Sequence, residues 1–168
     1  MRKKTILYIF FILFINIGQL LGCTEIYVGN QLAGYGEART LDFPINPGNN
    51  TYTGFPQMLN TTRIVSLDKQ PLPQNFKLLS WRNIYGYFGR TGWESKSVLD
   101  GENTQGLSVS VLELDNSIYF SPGGGDSNKF NLSVYDVPNL ILSQARNINE
   151  AQNIFESVNV VKSAVKFD

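Results

Sequence analysis

The sequence of 168 residues contains no histidine and a single cysteine, Cys23. Without histidine the chain can hold no Ser-His-Asp or Cys-His triad and no metal site built on imidazole ligands. One cysteine excludes an internal disulfide and any cysteine cluster for zinc. A surplus of charge is missing too, since 14 basic residues balance 14 acidic ones. No basic footprint for a phosphate backbone is left, so nucleic acid is not an expected partner. Long apolar runs are confined to one, from Thr5 to Ile17, and it falls short of the roughly 20 apolar residues that a membrane span requires.

What is present begins with that run. It follows Arg2, Lys3 and Lys4 and ends at Gly18 and Gln19, the arrangement of an export signal covering residues 1–22. Removing 22 of 168 residues leaves 146, enough for one domain, 23–168, with its own core and too few for two. The three basic residues leave with the signal, so 11 remain against 14 acidic ones, a net charge of −3. The expected product is exported, periplasmic or secreted. Leu20-Leu21-Gly22-Cys23 also resembles a bacterial lipobox, in which the cysteine is lipidated and its amine acylated. A non-catalytic envelope lipoprotein therefore stays open as the alternative, and the membrane is a partner only if the chain is lipidated or its signal is retained.

Ordinary cleavage after Gly22 would make Cys23 the first residue of the mature chain. Its α-amine, titrating at roughly 7.7 to 8 in model compounds, would then share a residue with a thiol of about 8.5. One residue can so act as nucleophile and base together. Thr24 to Val28 reads as a strand, Gly29-Asn30 as a turn, and Gln31 to Phe43 as a return strand. Such a hairpin would hold the terminus against its neighbour and let Arg39 and Asp42 approach the amine and the thiol.

Further along, residues 44 to 75 read as loops around a short strand near Arg63 to Leu67. The stretch from Phe76 to Trp93 carries an aromatic cluster of Phe76, Trp81, Tyr85, Tyr87, Phe88 and Trp93. It is expected in the core, with part of it able to line an apolar acyl pocket. In Asp100 to Leu107, DGENTQGL, Asp100-Gly101 and Gly106 read as turns that hold Asn103 at the edge of a strand from Leu107 to Leu114. A side-chain amide so placed can donate to an oxyanion. Ile118 to Phe120 reads as a strand end. Ser121 to Lys129 reads as a flexible loop without the lysine of a phosphate loop. After Phe130 to Val134, Asp136 and Pro138 open one helix through Ala145. Asn149 with Gln152 opens a second, with Ile154, Phe155 and Val158 on its buried face. Asn153 and Asn159 fall on that helix and match no motif.

Cys23-Thr24, then Arg39-Thr40-Leu41-Asp42-Phe43, then IYGYFG before DGENTQGL together resemble the choloylglycine hydrolase family, which includes bile salt hydrolases and penicillin V acylases. Ala38 stands where the family usually has glycine, and Thr104 where it has glutamate. The resemblance implies an α+β fold, the αββα sandwich of N-terminal nucleophile hydrolases, of which this chain would be the N-terminal part, truncated before the family's second active-site asparagine and late arginine. It implies hydrolysis of linear amide C–N bonds in a small acyl amide, with no cofactor and no metal. By the same resemblance Cys23 is the nucleophile, Arg39 lies beside the thiolate, Asp42 holds the α-amine and Asn103 contributes to the oxyanion site. A homo-oligomer or a complementing C-terminal half stays open as the partner of such a chain.

Overall fold

The computed structural model describes the backbone of residues 25–30 and 34–39, and the full residues of 51–64, 71–92, 96–112 and 117–163. They fall into two compact units, Met1–Pro44 with Leu112–Leu114, and Ile45–Val111 with Asp115–Asp168. Each is taken by itself.

In the first unit, β1 (Glu25–Asn30) and β2 (Gly34–Arg39) form an antiparallel hairpin. Ile26, Tyr27 and Val28 supply the β-branched and aromatic side chains that favour strands. The expected hairpin is present, but Gly29 and Asn30, read as its turn, are strand residues opposite Tyr35 and Gly34; residues 31–33 lie outside the described residues. Cys23 and Asp42 lie outside the described residues.

The second unit is built on two ladders. Its strands are β3 (Thr51–Gly54), β4 (Leu59–Thr61), β5 (Ser80–Arg82), β6 (Tyr87–Thr91), β7 (Val98–Asn103), β8 (Ser108–Ser110), β9 (Phe130–Ser133) and β10 (Val158–Val161). Between β9 and β10 stand a 3-10 turn at Val134–Asp136, α1 (Val137–Gln144) and α2 (Ile148–Glu156). One ladder is antiparallel in the order β3-β6-β7-β8. The other joins the antiparallel pair β4-β5 to the parallel pair β9-β10. The link is made by Leu79 N donating to Asn131 O at 3.0 Å and Asn131 N donating to Lys77 O at 2.7 Å. A parallel bridge from Phe120 to Val161 extends this ladder.

Local chemistry explains the elements and several departures from the sequence reading. In β6, Tyr87, Gly89 and Thr91 are buried while Phe88 and Arg90 face outward, the alternation of a strand covered on one side. Asp100-Gly101 is no turn but the middle of β7. A Cβ on Gly101 would lie 2.7 Å from Phe88 O and 2.9 Å from Leu142 Cδ1, so this glycine serves close packing. The segment read as loop before Arg63 contains β3 and β4, held by pairing to β6 and β5 rather than by any alternating pattern of its own. Arg63 and Ile64 are not in a strand, and 65–67 lie outside the described residues. The strand expected from Leu107 is reduced to β8, its far end at 113–114 being outside them as well.

Packing converges on α1. Leu140 joins Trp81, Leu132 and Val158 in one buried cluster, and Leu142 joins Tyr87 and Val98 in another. Each fully buried leucine contributes about 1.5 to 3 kcal/mol of hydrophobic stabilisation. Trp81 and Tyr87 are thus core aromatics as expected, whereas Phe88 is 60% exposed on the uncovered side of β6. Trp93 lies outside the described residues.

The helix ends also differ from expectation. Asp136 stands at the N-cap position of α1 without capping it. Its carboxylate instead accepts from Thr62 Oγ1 at 2.6 Å and Arg63 N at 3.1 Å. The second helix is capped by Asn147, not Asn149: Asn147 Oδ1 accepts from Glu150 N at 3.0 Å, and the Glu150 carboxylate accepts from Arg146 N. Asn159 belongs to β10, and Phe155 is 51% exposed. Among the described residues no helix is long and apolar enough to cross a membrane.

Candidate active site

The four residues singled out by sequence divide between the two units. Arg39 ends β2 and stands opposite Glu25 in the ladder, two residues beyond Cys23. Asn103 belongs to the second unit, where it closes β7 and is 4% exposed.

The surroundings of Asn103 are fully specified. Its Oδ1 accepts from Gln105 N at 2.9 Å and Leu107 N at 3.0 Å, which shapes the turn from Thr104 to Gly106. Gly106 takes φ +77°, a conformation glycine adopts without penalty. Its Nδ2 donates to Leu142 O at 2.9 Å and to Ala145 O at 2.6 Å. A helix leaves its last carbonyls without intrahelical partners, and Asn103 satisfies two of those at the end of α1. Ser143 O, next to them, accepts from Ile84 N at 2.9 Å and Tyr85 N at 3.0 Å. A carboxamide nitrogen carries two hydrogens, and both are spent here. The side chain has none left for an oxyanion, so the donor role expected of Asn103 does not fit this geometry. The motif revealed the turn; it could not reveal that a helix end, some forty residues later, would take up the amide.

Sequence reasoning missed the counterpart at the other end of the same helix. Asn139 is buried; its Oδ1 accepts from Val98 N at 2.9 Å, and its Nδ2 donates to Lys96 O at 2.9 Å and to Tyr87 Oη at 3.1 Å. The signal was a lone amide inside the apolar run Val137 to Leu142. Burial pushes the Tyr87 phenol well above its ordinary range, with Tyr52 and Asp136 adding to the shift and the Asn139 bond opposing it. It stays a neutral hydroxyl. Asp136 is likewise raised, first by burial, with the bonds from Thr62 and Arg63 working against the shift. Among the described residues no group of three or more histidine, cysteine, aspartate or glutamate side chains could hold a metal ion.

The family model for linear amide C–N hydrolases of the choloylglycine hydrolase family matches residues 23–168. Two solved structures are similar. Penicillin V acylase from Agrobacterium tumefaciens matches with a TM-score of 0.63 and 22% identity over 85% of this chain and 40% of its own. A mutant conjugated bile acid hydrolase from Clostridium perfringens matches with a TM-score of 0.50 and 14% identity over 83% of this chain and 39% of its own. No curated protein matches. At these identities the likeness establishes the fold, α+β of the N-terminal nucleophile hydrolase type, over a chain that spans about 40% of the length of its solved relatives.

Proposed function

This chain belongs to the choloylglycine hydrolase family, and from that premise we propose that it carries the nucleophile-bearing part of a cysteine hydrolase of linear amide C–N bonds. The observation that supports this most directly is where the family match begins, at residue 23, the sole cysteine and the residue that cleavage of an export signal after Gly22 would uncover.

In this reading the α-amine of Cys23 takes the thiol proton, and the thiolate attacks the substrate's amide carbonyl. The C–N bond breaks as the amine leaves with a proton, and water then hydrolyses the thioester to the acid and the free thiol. Arg39 favours the thiolate, because an adjacent cation lowers a thiol pKa, and Asp42 orients the α-amine. Asn103 holds the β7 turn to α1 and is left out of the donor set, both its amide hydrogens being committed. The names of the two solved relatives suggest penicillin V and conjugated bile acids as substrates to try. The product would act outside the cytoplasm, in the periplasm or secreted.

The test combines intact-mass analysis of the exported protein with turnover of those substrates by wild type and Cys23→Ser. The reading expects a chain that starts at Cys23 with an unmodified amine, and a serine variant slowed by orders of magnitude. A start elsewhere, or turnover that survives in the serine variant, removes Cys23 from its role. An acylated amine favours instead the lipidated envelope protein that Leu20-Leu21-Gly22-Cys23 resembles.

A further inference from the structure

An open cleft of about 450 Å³ lies within the second unit, between β5, the end of α1 and the second helix. Small-ligand sites typically enclose roughly 300 to 1,000 Å³ with apolar walls and a few polar groups. The walls here are Trp81, Leu140 and Val158 from the buried cluster, with Leu79 and Ile154 packed on them. The Trp81 indole N–H already donates to Ser143 Oγ at 2.9 Å, so the ring offers a ligand its apolar surface.

Polar capacity sits at the rim, in Gln144, Glu150, Asn153 and Ser157. Gln144 Nε2 is committed to Arg82 O at 2.6 Å, and the Ser157 hydroxyl to Ile154 O at 2.7 Å. What these two residues keep is oxygen lone pairs, whereas Asn153 keeps its whole amide, which has no partner among the described residues. Charge decides the rest. No lysine or arginine lines the cleft, and its one acidic residue, Glu150, is already paired with Arg146. An anion would find no counter-charge and a carboxylate beside it, and a cation would have to displace Arg146.

We propose that this cleft binds a neutral ligand with an apolar body and a hydrogen-bond donor directed at the rim oxygens. The assignment is independent of the chemistry at Cys23. The chain has two tryptophans, so a Trp93→Phe background leaves one indole N–H resonance, that of Trp81, to follow by NMR. Titration with 2-naphthol is expected to shift that resonance saturably. Its anionic analogue 2-naphthalenesulfonate should bind at least tenfold more weakly. Asn153→Ala, at an exposed position, should weaken 2-naphthol several-fold while leaving naphthalene binding unchanged.

The proposal is overturned by an absent or non-saturating shift, by sulfonate binding as tight as that of 2-naphthol, or by equal effects of Asn153→Ala on both neutral probes. A resonance that moves with protein concentration alone would show a second copy closing the cleft, which also overturns it. None of these readouts involves amide turnover, so failure here leaves the hydrolase reading standing and the reverse holds equally.

Discussion

The two helices of the second unit are neighbours of almost equal length, eight and nine residues, and they are held by opposite means. In α1 six consecutive residues, Pro138 to Ser143, are buried. Its polar groups are tied to partners far away in sequence, its last carbonyls to the Asn103 amide at one end and its own Asn139 to β6 and β7 at the other. In α2 no residue is buried. Its bonds are local: the Asn147 cap, the Arg146–Glu150 pair and Gln152 Nε2 donating to Glu156 Oε1 at 2.8 Å. A nine-residue helix is marginal in isolation, so caps and i,i+4 pairs matter most where burial contributes least. The difference teaches that one helix is specified by its neighbours in space and the other by its neighbours in sequence.

Substitutions can break that contrast from either side. Leu142→Ala, at a side chain with no exposed surface, is expected to destabilise the fold by about 2 to 5 kcal/mol. Urea unfolding would check it, and a loss below about 1 kcal/mol would contradict the central place given to α1. Asn103→Ala strands two carbonyls at the end of α1 and two N–H groups in the adjoining turn, a loss of about 2 to 3 kcal/mol. Hydrogen exchange should then show faster amides in both α1 and the turn, whereas a merely local effect would spare the helix. Asn147→Ala should cost about 1 kcal/mol and raise exchange in α2 without touching the amides of α1.

The finest test is a pH series. Burial raises the Asp136 carboxyl, so the folded state binds that proton more tightly than the unfolded state does. The associated stability is therefore greatest while the group is protonated, and it falls as pH rises from the ordinary carboxylate range through the raised pKa. Asp136→Asn should remove that fall, giving unfolding midpoints that change less as pH rises above the ordinary carboxylate range. Glu150 behaves in the reverse sense. The backbone N–H of Arg146, then its guanidinium, hold Glu150 below the ordinary range. Its small stabilising share is present above that range and fades as pH falls.

The sequence reading succeeded where information is local. Ile26 to Val28 and the return to Arg39 announced the hairpin, and Cys23, Arg39, Asp42 and DGENTQGL announced the family that residues 23–168 match. It went astray where a residue's partner is distant. Asp100-Gly101 has the composition of a turn, yet Leu142 and Phe88 compress it into a strand. Asp136 has the composition of a cap, yet Thr62 and Arg63 claim its carboxylate. In the second helix the reading placed Phe155 on a buried face because spacing shows which residues share a face, not whether anything covers it.

By itself, the order of residues determined the family and the kinds of chemistry excluded by absent histidine and scarce cysteine. Those are properties of composition and short-range spacing, and they survive in an unfolded chain. Only the tertiary structure decided that the amide of Asn103 is consumed by the end of α1 and that two leucines of one helix serve two separate clusters. A hydrogen bond or a packed contact exists only when both partners occupy the same place, and residues 103 and 145 meet there only after the chain has folded.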